Sequence, residues 1–152
     1  MATATKHVTL RDPLDVSACT LANVRQASRA ISQVYDAALQ PADIKATQFT
    51  VLAALSKNDQ LPLSQLAEIM VMDRTTLTRN LQPLVKRKLV SIAPGKDRRV
   101  RNVRLTSQGR RLLETALPLW RKAQSQLVDG LGRQRWAGLL DDLSQTVSLT
   151  QA

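Results

Sequence analysis

Apolar residues recur at helical spacing along most of the chain. From residue 13 to about 40 they are spaced alternately three and four apart, the pattern of a long seam packed on another helix. This seam consists of Val24, Ala27, Ile31, Val34 and Ala38. Further helices are predicted over about 45–57, 107–128 and 133–149. Long helical regions therefore lie on both sides of the centre of the chain.

The centre of the chain carries the pattern of two shorter helices joined by a three-residue turn. The first has apolar residues at i, i+3, i+4 and i+7, namely Leu63, Leu66, Ala67 and Met70. Asp73 is placed to cap the second, because its carboxylate can accept a hydrogen bond from the free N–H groups of a first helical turn. The inward-facing residues of the second helix are predicted to be Leu77, Leu81, Leu84 and Val85. Two helices with such a turn form a helix-turn-helix.

Two strand-like stretches follow the second of these helices. Residues 89–93 and 100–105 are rich in strand-forming side chains, and residues 94–99 between them predict a hairpin with a basic tip. A hairpin in this position makes the helix-turn-helix winged. The predicted fold is mainly α with a small β-hairpin wing. Its parts are a winged helix-turn-helix lobe (45–105) and two helical regions that flank it (13–40 and 107–149).

Length and composition narrow the class of protein. A chain of 152 residues has the size of one domain, predicted as residues 13–149 behind a flexible arm of residues 1–12. Aromatic residues make up only 3%, which argues against a protein that stacks single-stranded bases on aromatic side chains. No apolar run approaches the roughly 20 residues of a membrane span, and a single cysteine suits a reducing compartment. We expect a cytoplasmic protein that does not associate with membranes.

The net charge is concentrated in one quarter of the chain. Residues 73–111 contain twelve Lys or Arg and two Asp, so they carry a charge of +10, which is also the charge of the whole protein. A basic surface that served only solubility would intersperse acidic residues. A neutral scaffold with one positive face is built to meet a polyanion with that face. Together with the scarcity of aromatic residues, this predicts double-stranded DNA as the partner.

The polar face of the second central helix suits the major groove. An Arg can bind guanine through two hydrogen bonds, a Gln can do so with adenine, and a Thr methyl group can pack on thymine. The basic residues 86–88 at its end are expected to meet phosphates, and Arg98 or Arg99 at the hairpin tip to enter the minor groove. Asp97 is expected to orient a neighbouring Arg through a charge-assisted bond. The predicted DNA contacts are Arg74, Thr75, Thr76, Thr78, Arg79, Gln82, Lys86, Lys96, Arg98, Arg99 and Arg101.

Four segments of the sequence resemble the MarR family of bacterial transcriptional regulators. They are ATQF (46–49), DRTTLTR (73–79), GKDRR (95–99) and LTSQG (105–109). The resemblance implies a homodimer in which the first and last helices intertwine and two winged lobes read a pseudo-palindromic operator. It also implies a repressor that a small aromatic or phenolic anion, or oxidation, releases from DNA. Carried over residue by residue, it assigns Asp97 and Arg99 to the wing, with Arg99 in the groove.

Two positions depart from the family pattern. Pro94 stands where an acidic residue often precedes the wing tip, so the wing is expected to lack one ion pair. Lys88 stands where a glycine usually ends the recognition helix. If that position needs a left-handed backbone, a lysine there costs on the order of 1 kcal/mol relative to glycine.

An effector pocket is a further hypothesis. Cys19, Asn23 and Gln26, spaced i, i+4 and i+7, would share one helical face of it, and Arg25 would balance the charge of an anion. Its apolar walls would be Phe49 and Trp120. Each of these residues also has an ordinary interpretation as core, interface or solvated surface. Some members of the family sense peroxides through a cysteine in the first helix, and the resemblance aligns Leu21 with that cysteine. Cys19 lies two residues away, about half a helical turn, so it would point elsewhere. A thiol sensor through Cys19 is nevertheless kept as an alternative.

The sequence contains no catalytic constellation. Its one histidine lies in the N-terminal arm, and we find no metal-ligand cluster, phosphate-binding glycine loop or nucleophile with a nearby base. We therefore predict a regulator without catalytic residues, cofactor or metal. A sequence-indifferent architectural binder of nucleic acid is the remaining alternative. The Thr, Arg and Gln face argues against it, because binding to phosphates alone needs no such groups.

Overall fold

A computed structural model of the protein describes residues 12–58 and 60–151. The predicted flexible arm lies outside the described residues except for its last residue. The described part forms helices with one small antiparallel sheet, which confirms the predicted fold class. The helices are α1 (Thr20–Leu39), α2 (Ala46–Ser56), α3 (Leu63–Ile69), α4 (Arg74–Lys86), α5 (Ser107–Leu131) and α6 (Arg133–Thr150), and the strands are β1 (Leu61–Pro62), β2 (Val90–Pro94) and β3 (Arg101–Leu105). The chain divides into two compact units, one that ends at Val34 and one that begins at Tyr35.

The first helix begins seven residues later than predicted. Asp15 accepts a hydrogen bond from the N–H of Ser17 at 2.8 Å and caps a short 3₁₀ turn, Val16–Ala18. Cys19 then leaves the helical conformation with a ψ of 112°. Short polar side chains such as Asp offer the backbone local hydrogen bonds that compete with a helix. The prediction of a helix from residue 13 was therefore wrong for its first two turns.

The helix-turn-helix forms as predicted from α3, a short turn and α4. Asp73 caps α4, since its Oδ1 accepts from the N–H of Thr76 at 2.8 Å and its Oδ2 accepts from the Thr76 hydroxyl at 2.6 Å. These hydrogen bonds to the ionised carboxylate lower the pKa of Asp73. The core contacts of α4 are made by its fully buried residues Leu77, Leu81 and Leu84. Val85 was expected beside them but is 39% exposed, because it lies at the edge of their i, i+4, i+7 stripe.

The wing is a hairpin of β2 and β3 held to the core at its base. The two strands pair from Val90 opposite Leu105 to Pro94 opposite Arg101. Each strand begins one residue later than predicted. The buried residues Val90, Val103 and Leu105 anchor the base. The short strand β1 adds to the outer edge of β3 with Leu61 opposite Val103 and was not predicted, because two residues carry no alternation to read. The basic tip is thereby supported by a three-stranded sheet.

Both helices of the helix-turn-helix end at a residue with a left-handed backbone. After α3, Val71 has a φ of 51°, and the N–H of Met72 donates to the carbonyl of Ala67 at 2.9 Å. After α4, Lys88 has a φ of 57°, and the N–H of Leu89 donates to the carbonyl of Leu84 at 2.9 Å. These are Schellman motifs, which normally place glycine at the left-handed residue.

Replacing either left-handed residue with glycine should stabilise the fold. A Cβ atom at such a φ costs roughly 1–2 kcal/mol, and glycine avoids this cost while adding some freedom to the unfolded chain. We expect Val71→Gly and Lys88→Gly each to raise the free energy of unfolding by about 1 kcal/mol, measured by urea denaturation. Val71→Ala, which keeps a Cβ atom, is the matched control and should gain less. Destabilisation by both glycine variants would contradict the two cap assignments.

Candidate nucleic-acid interface

The exposed face of α4 gathers most of the predicted base contacts. Arg74, Thr75, Thr78, Arg79 and Gln82 line one shallow groove of about 370 Å³ that is open to solvent. Each of these side chains is exposed. Because all five come from consecutive turns of α4, they present hydrogen-bond donors, acceptors and methyl groups on one continuous face of the helix. A helix with such a face fits the major groove of DNA.

Two of the three threonine hydroxyl groups are already committed within α4. The Thr76 hydroxyl donates to Asp73 Oδ2, and the Thr78 hydroxyl donates to the main-chain carbonyl of Arg74 at 2.7 Å. Within the described residues, the side chains of Arg79 and Gln82 make no hydrogen bond. Arg79 and Gln82 therefore have free polar groups on this face, as do Arg74 and Thr75, whereas Thr76 and Thr78 can offer their methyl groups.

A network of main-chain bonds shapes the tip of the wing. The N–H of Gly95 donates to the carbonyl of Val100 at 2.7 Å, and the N–H of Val100 donates to the carbonyl of Asp97 at 2.9 Å. The Asp97 carboxylate accepts from the main-chain N–H of Arg99 at 2.9 Å. Asp97 was expected to bind the guanidinium group of a neighbouring Arg, but in the structure it holds the main-chain N–H of Arg99 instead. Lys96, Arg98 and Arg99 are all exposed at this tip.

The positive charge of this face is not balanced by neighbouring acids. The described residues contain two ion pairs, Lys45 with Asp36 at 3.6 Å and Arg87 with Asp43 at 3.4 Å. Neither pair includes any of the eleven residues predicted to contact DNA. Arg87 was expected to meet a phosphate with its neighbours 86 and 88, but its guanidinium is already bonded to Asp43. The other cations of α4 and the wing remain available to a polyanion.

The residues predicted to form an effector pocket divide between the two units. Phe49 is buried and stacks on Trp120, with ring centroids 5.8 Å apart and planes at 15°. The two rings lie on a cavity of about 230 Å³, whose other walls are Tyr35, Leu39, Ala46 and Thr50. The Tyr35 hydroxyl donates to Gln124, and burial raises the pKa of Tyr35. The sequence did not identify Tyr35 as a wall, although it is the only tyrosine.

The other four predicted pocket residues lie in the unit that ends at Val34. They are all exposed: Cys19, Asn23, Arg25 and Gln26. Cys19 precedes the first residue of α1, and the side-chain amide of Asn23 donates to its carbonyl at 2.8 Å. The role of these four residues in binding an effector stays a prediction.

Three further features of the described residues bear on function. Within them no helix is both long and apolar enough to cross a membrane. No group of three or more His, Cys, Asp or Glu side chains in the same part of the chain could hold a metal ion. The one cysteine, Cys19, is a free thiol on the surface.

The chain is similar to known DNA-binding regulators. The profile of the MarR family matches residues 42–100, which extend from just before α2 to the tip of the wing. The transcriptional regulator MosR of M. tuberculosis, solved in complex with DNA, is 34% identical, with a TM-score of 0.81 over 88% of this chain and 96% of that one. A cysteine-to-serine mutant of E. coli MarR, complexed with operator DNA, is 25% identical, with a TM-score of 0.75 over 82% of this chain and 91% of that one.

A third solved structure shares the fold at lower identity. It is BpsR of Bordetella bronchiseptica, whose DNA binding is regulated by 6-hydroxynicotinic acid. BpsR is 24% identical, with a TM-score of 0.73 over 83% of this chain and 96% of that one. No sequence among curated proteins matches the chain.

Proposed function

Because the chain belongs to the MarR family of transcriptional regulators, we propose that it is a homodimeric repressor that a small aromatic acid or phenol releases from its operator. Membership of this family makes the protein a winged-helix DNA-binding regulator and not an enzyme. The observation that carries the proposal is the unpaired positive charge shared by the groove of α4 and the tip of the wing. This surface supports sequence-specific contact with duplex DNA.

Each part of the surface has its own role on the duplex. With α4 in the major groove, Arg79 is suited to guanine and Gln82 to adenine, and the methyl groups of Thr76 and Thr78 are suited to thymine. Lys86 lies one turn further along α4 and is suited to a phosphate. Arg99 at the wing tip is suited to a narrow minor groove, whose negative potential attracts arginine. Base contacts by α4 would set the sequence, and the wing would add affinity.

Exposed apolar residues support the homodimer. Among the described residues of α6 none is buried, and four that recur at helical spacing are 38–47% exposed: Leu139, Leu140, Leu143 and Val147. In the other unit, Leu21 and Val24 of α1 are 60% and 43% exposed. Apolar faces of this extent usually mark interfaces between proteins. A twofold dimer would present two α4 helices to successive major grooves, about 34 Å apart.

A charge placed on the apolar face of α6 should weaken the dimer. In Leu143→Asp a carboxylate would have to be buried in the interface, which costs several kcal/mol in an apolar setting. We expect the dissociation constant of the dimer to rise by at least about tenfold, measured by sedimentation equilibrium. Ser148→Asp adds the same charge outside the stripe and should leave the dimer intact. A Leu143→Asp protein that stays as dimeric as its control would contradict this interface.

Selection of bound sites from a random library of duplexes tests the proposed mode of binding. We expect the consensus to be a palindrome with half-site centres one helical turn apart. That spacing follows from two recognition helices related by a twofold axis. A duplex that carries this consensus is the selected duplex. A consensus with one unrepeated half-site would contradict the dimeric mode, and the absence of any consensus would contradict sequence-specific binding.

The cavity beside Phe49 and Trp120 supports an aromatic effector. Its volume of about 230 Å³ and its walls of Phe49, Trp120 and Tyr35 suit a single aromatic ring. Regulation of BpsR by 6-hydroxynicotinic acid shows that this fold can respond to a ligand of that class.

Fluorescence of Trp120 tests for an effector in this cavity. In a Trp136→Phe variant Trp120 is the only tryptophan, so we expect 4-hydroxybenzoate or 6-hydroxynicotinate to quench it saturably and to release the selected duplex. Unchanged fluorescence with both acids and with their phenolic relatives would contradict the pocket.

The exposed thiol of Cys19 supports a second candidate mode of release. With no other cysteine in the chain, oxidation would give a sulfenic acid or a disulfide to another molecule. Release of the selected duplex by hydrogen peroxide, lost in Cys19→Ser, is the result expected of such a switch. A Cys19→Ser protein that still responds to the oxidant would exclude it.

A further inference from the structure

We propose that Arg87 is a positioning residue that fixes the C-terminal end of the recognition helix, and that Asp36 acts on that helix through the same segment. The inference rests on the proposed function, since it concerns how α4 is held for DNA binding. It assigns to Arg87 a role other than the phosphate contact that its place in a basic run suggests.

The contacts of Arg87 separate it from its basic neighbours. Its Nη1 atom donates to the main-chain carbonyl of Asp43 at 2.6 Å, and its Nη2 atom lies 3.4 Å from Asp43 Oδ2. The side chain of Arg87 is 36% exposed and therefore half-buried, whereas Lys86 and Lys88 are exposed. A planar guanidinium that binds a carbonyl and a carboxylate through two nitrogens is held in one orientation. It is therefore directed at the protein and not at a ligand.

The segment that Arg87 holds is also held from the other side. The N–H of Ala46, the first residue of α2, donates to Asp36 Oδ1 at 2.7 Å, and Lys45 Nζ lies 3.6 Å from Asp36 Oδ2. Asp36 belongs to the last turn of α1. Residues 43–46 are thus fastened to α1 by Asp36 and to the end of α4 by Arg87. The two contacts line one cleft of about 350 Å³.

Asp43 adds a conformational reason for the segment to keep one shape. Its φ of 51° is left-handed, and its N–H donates to the carbonyl of Gln40 at 2.9 Å. Aspartate tolerates this backbone better than most residues do. The carbonyl of Asp43 is consequently presented to Arg87 by a fixed turn. A change at Asp36 can reach α4 through these few residues.

A positioning role and simple electrostatics predict opposite changes in DNA affinity when the Asp36 carboxylate is removed. Removing the carboxylate of Asp36 raises the positive charge of a protein that binds a polyanion, so electrostatics alone predicts tighter binding. Loss of a positioning contact predicts weaker binding, because α4 would meet the groove in a less defined orientation. The two explanations therefore differ in the sign of the change.

The experiment compares five variants with the wild type on the selected duplex between 50 and 200 mM salt by fluorescence anisotropy. Lys86→Ala removes an exposed cation and should reduce the slope of log affinity against log salt by about 0.9. Arg87→Ala and Arg87→Lys should each lower affinity about fivefold, and both should retain the wild-type slope because Arg87 contacts no phosphate. Asp36→Ala should lower affinity about threefold, and Asp36→Asn, which keeps an oxygen for the N–H of Ala46, should recover part of it. Circular dichroism melting fixes a temperature at which all variants are folded.

Three results would overturn the proposal. Wild-type affinity in Arg87→Lys together with a reduced slope in Arg87→Ala would make Arg87 a phosphate contact. Tighter binding by Asp36→Ala would show that charge alone governs that position. Wild-type affinity and slope in Arg87→Ala would show that the contact with Asp43 does not position α4. A wild-type protein that binds selected and scrambled duplexes equally would instead overturn the repressor function, and the Arg87 slopes are then read on the scrambled duplex.

Discussion

Gly109→Ala is expected to destabilise the protein by about 3 kcal/mol or more, because there is no room for a side chain at this position. A Cβ atom there would lie 2.1 Å from the main-chain oxygen of Leu89 and 2.8 Å from Leu105 Cδ1. The nearest obstacle is backbone, which cannot rotate away as a side-chain tip can. Gly109 therefore allows the start of α5 to approach the end of the helix-turn-helix.

The hydrogen bonds around Gly109 fix that approach. The Leu89 carbonyl accepts from the N–H of Thr106 at 3.1 Å, and the Thr106 hydroxyl lies 2.7 Å from the Lys88 carbonyl and 3.0 Å from the Leu89 carbonyl, between which its one proton is shared. The Thr106 oxygen in turn accepts from the N–H of Gly109 at 3.0 Å and caps α5. Moving Leu89 to admit a methyl group would break these bonds as well as the packing. Relief of the clash would therefore cost the hydrogen bonds between Thr106 and Leu89.

Gly138→Ala is the matched control for this prediction. A Cβ atom at Gly138 would meet nothing within 4 Å, and the residue lies inside α6. Replacing a helical glycine with alanine there should raise the free energy of unfolding by about 0.5–1 kcal/mol. Urea denaturation of both variants gives the comparison. Similar stability of Gly109→Ala and the wild type would contradict the packing described at the start of α5.

Arg79→Ala is expected to weaken binding to the selected duplex by about thirtyfold and binding to a scrambled duplex far less. Its guanidinium lies exposed in the groove of α4 and makes no ion pair within the described residues. A lost bidentate contact with guanine removes sequence discrimination along with affinity. The measurement is fluorescence anisotropy on both duplexes at one salt concentration.

Arg99→Ala is the control for Arg79→Ala. A residue of the wing that contacts a groove or backbone of any sequence should weaken both duplexes alike and flatten the salt dependence. Arg79→Ala and Arg99→Ala thus remove one charge each but differ in the ratio of the two affinities. Equal weakening of both duplexes by Arg79→Ala would contradict base recognition by α4.

The regular elements could be predicted from the sequence because their signals are local and repeat. The stripe of Leu77, Leu81 and Leu84, the cap at Asp73 and the two strands of the wing were all read from neighbouring residues. The predicted start of α1 was wrong because a short-range hydrogen bond overrides the periodic pattern there. Asp15 caps a 3₁₀ turn, and α1 begins only after that turn. Local patterns therefore gave the architecture to within a few residues.

The parts of the site that escaped prediction depend on contacts between distant residues or on backbone geometry. Arg87 reads as one more cation in a basic run, and its partner Asp43 is 44 residues away. Asp97 was expected to bind a side chain, but the tight turn brings the N–H of Arg99 to it first. The left-handed Val71 carries no signal in sequence because the usual glycine is absent. Such features need the fold before they can be seen.

The central claim is that α4 and the wing read a specific DNA sequence. Its most direct test is the ratio of affinities for the selected duplex and a scrambled duplex of equal length, measured by fluorescence anisotropy at roughly physiological salt. We predict a preference of at least about a thousandfold, the range of specific regulators. Equal affinity for both duplexes, declining together as salt rises, would contradict this claim and would leave a protein that binds DNA by charge alone.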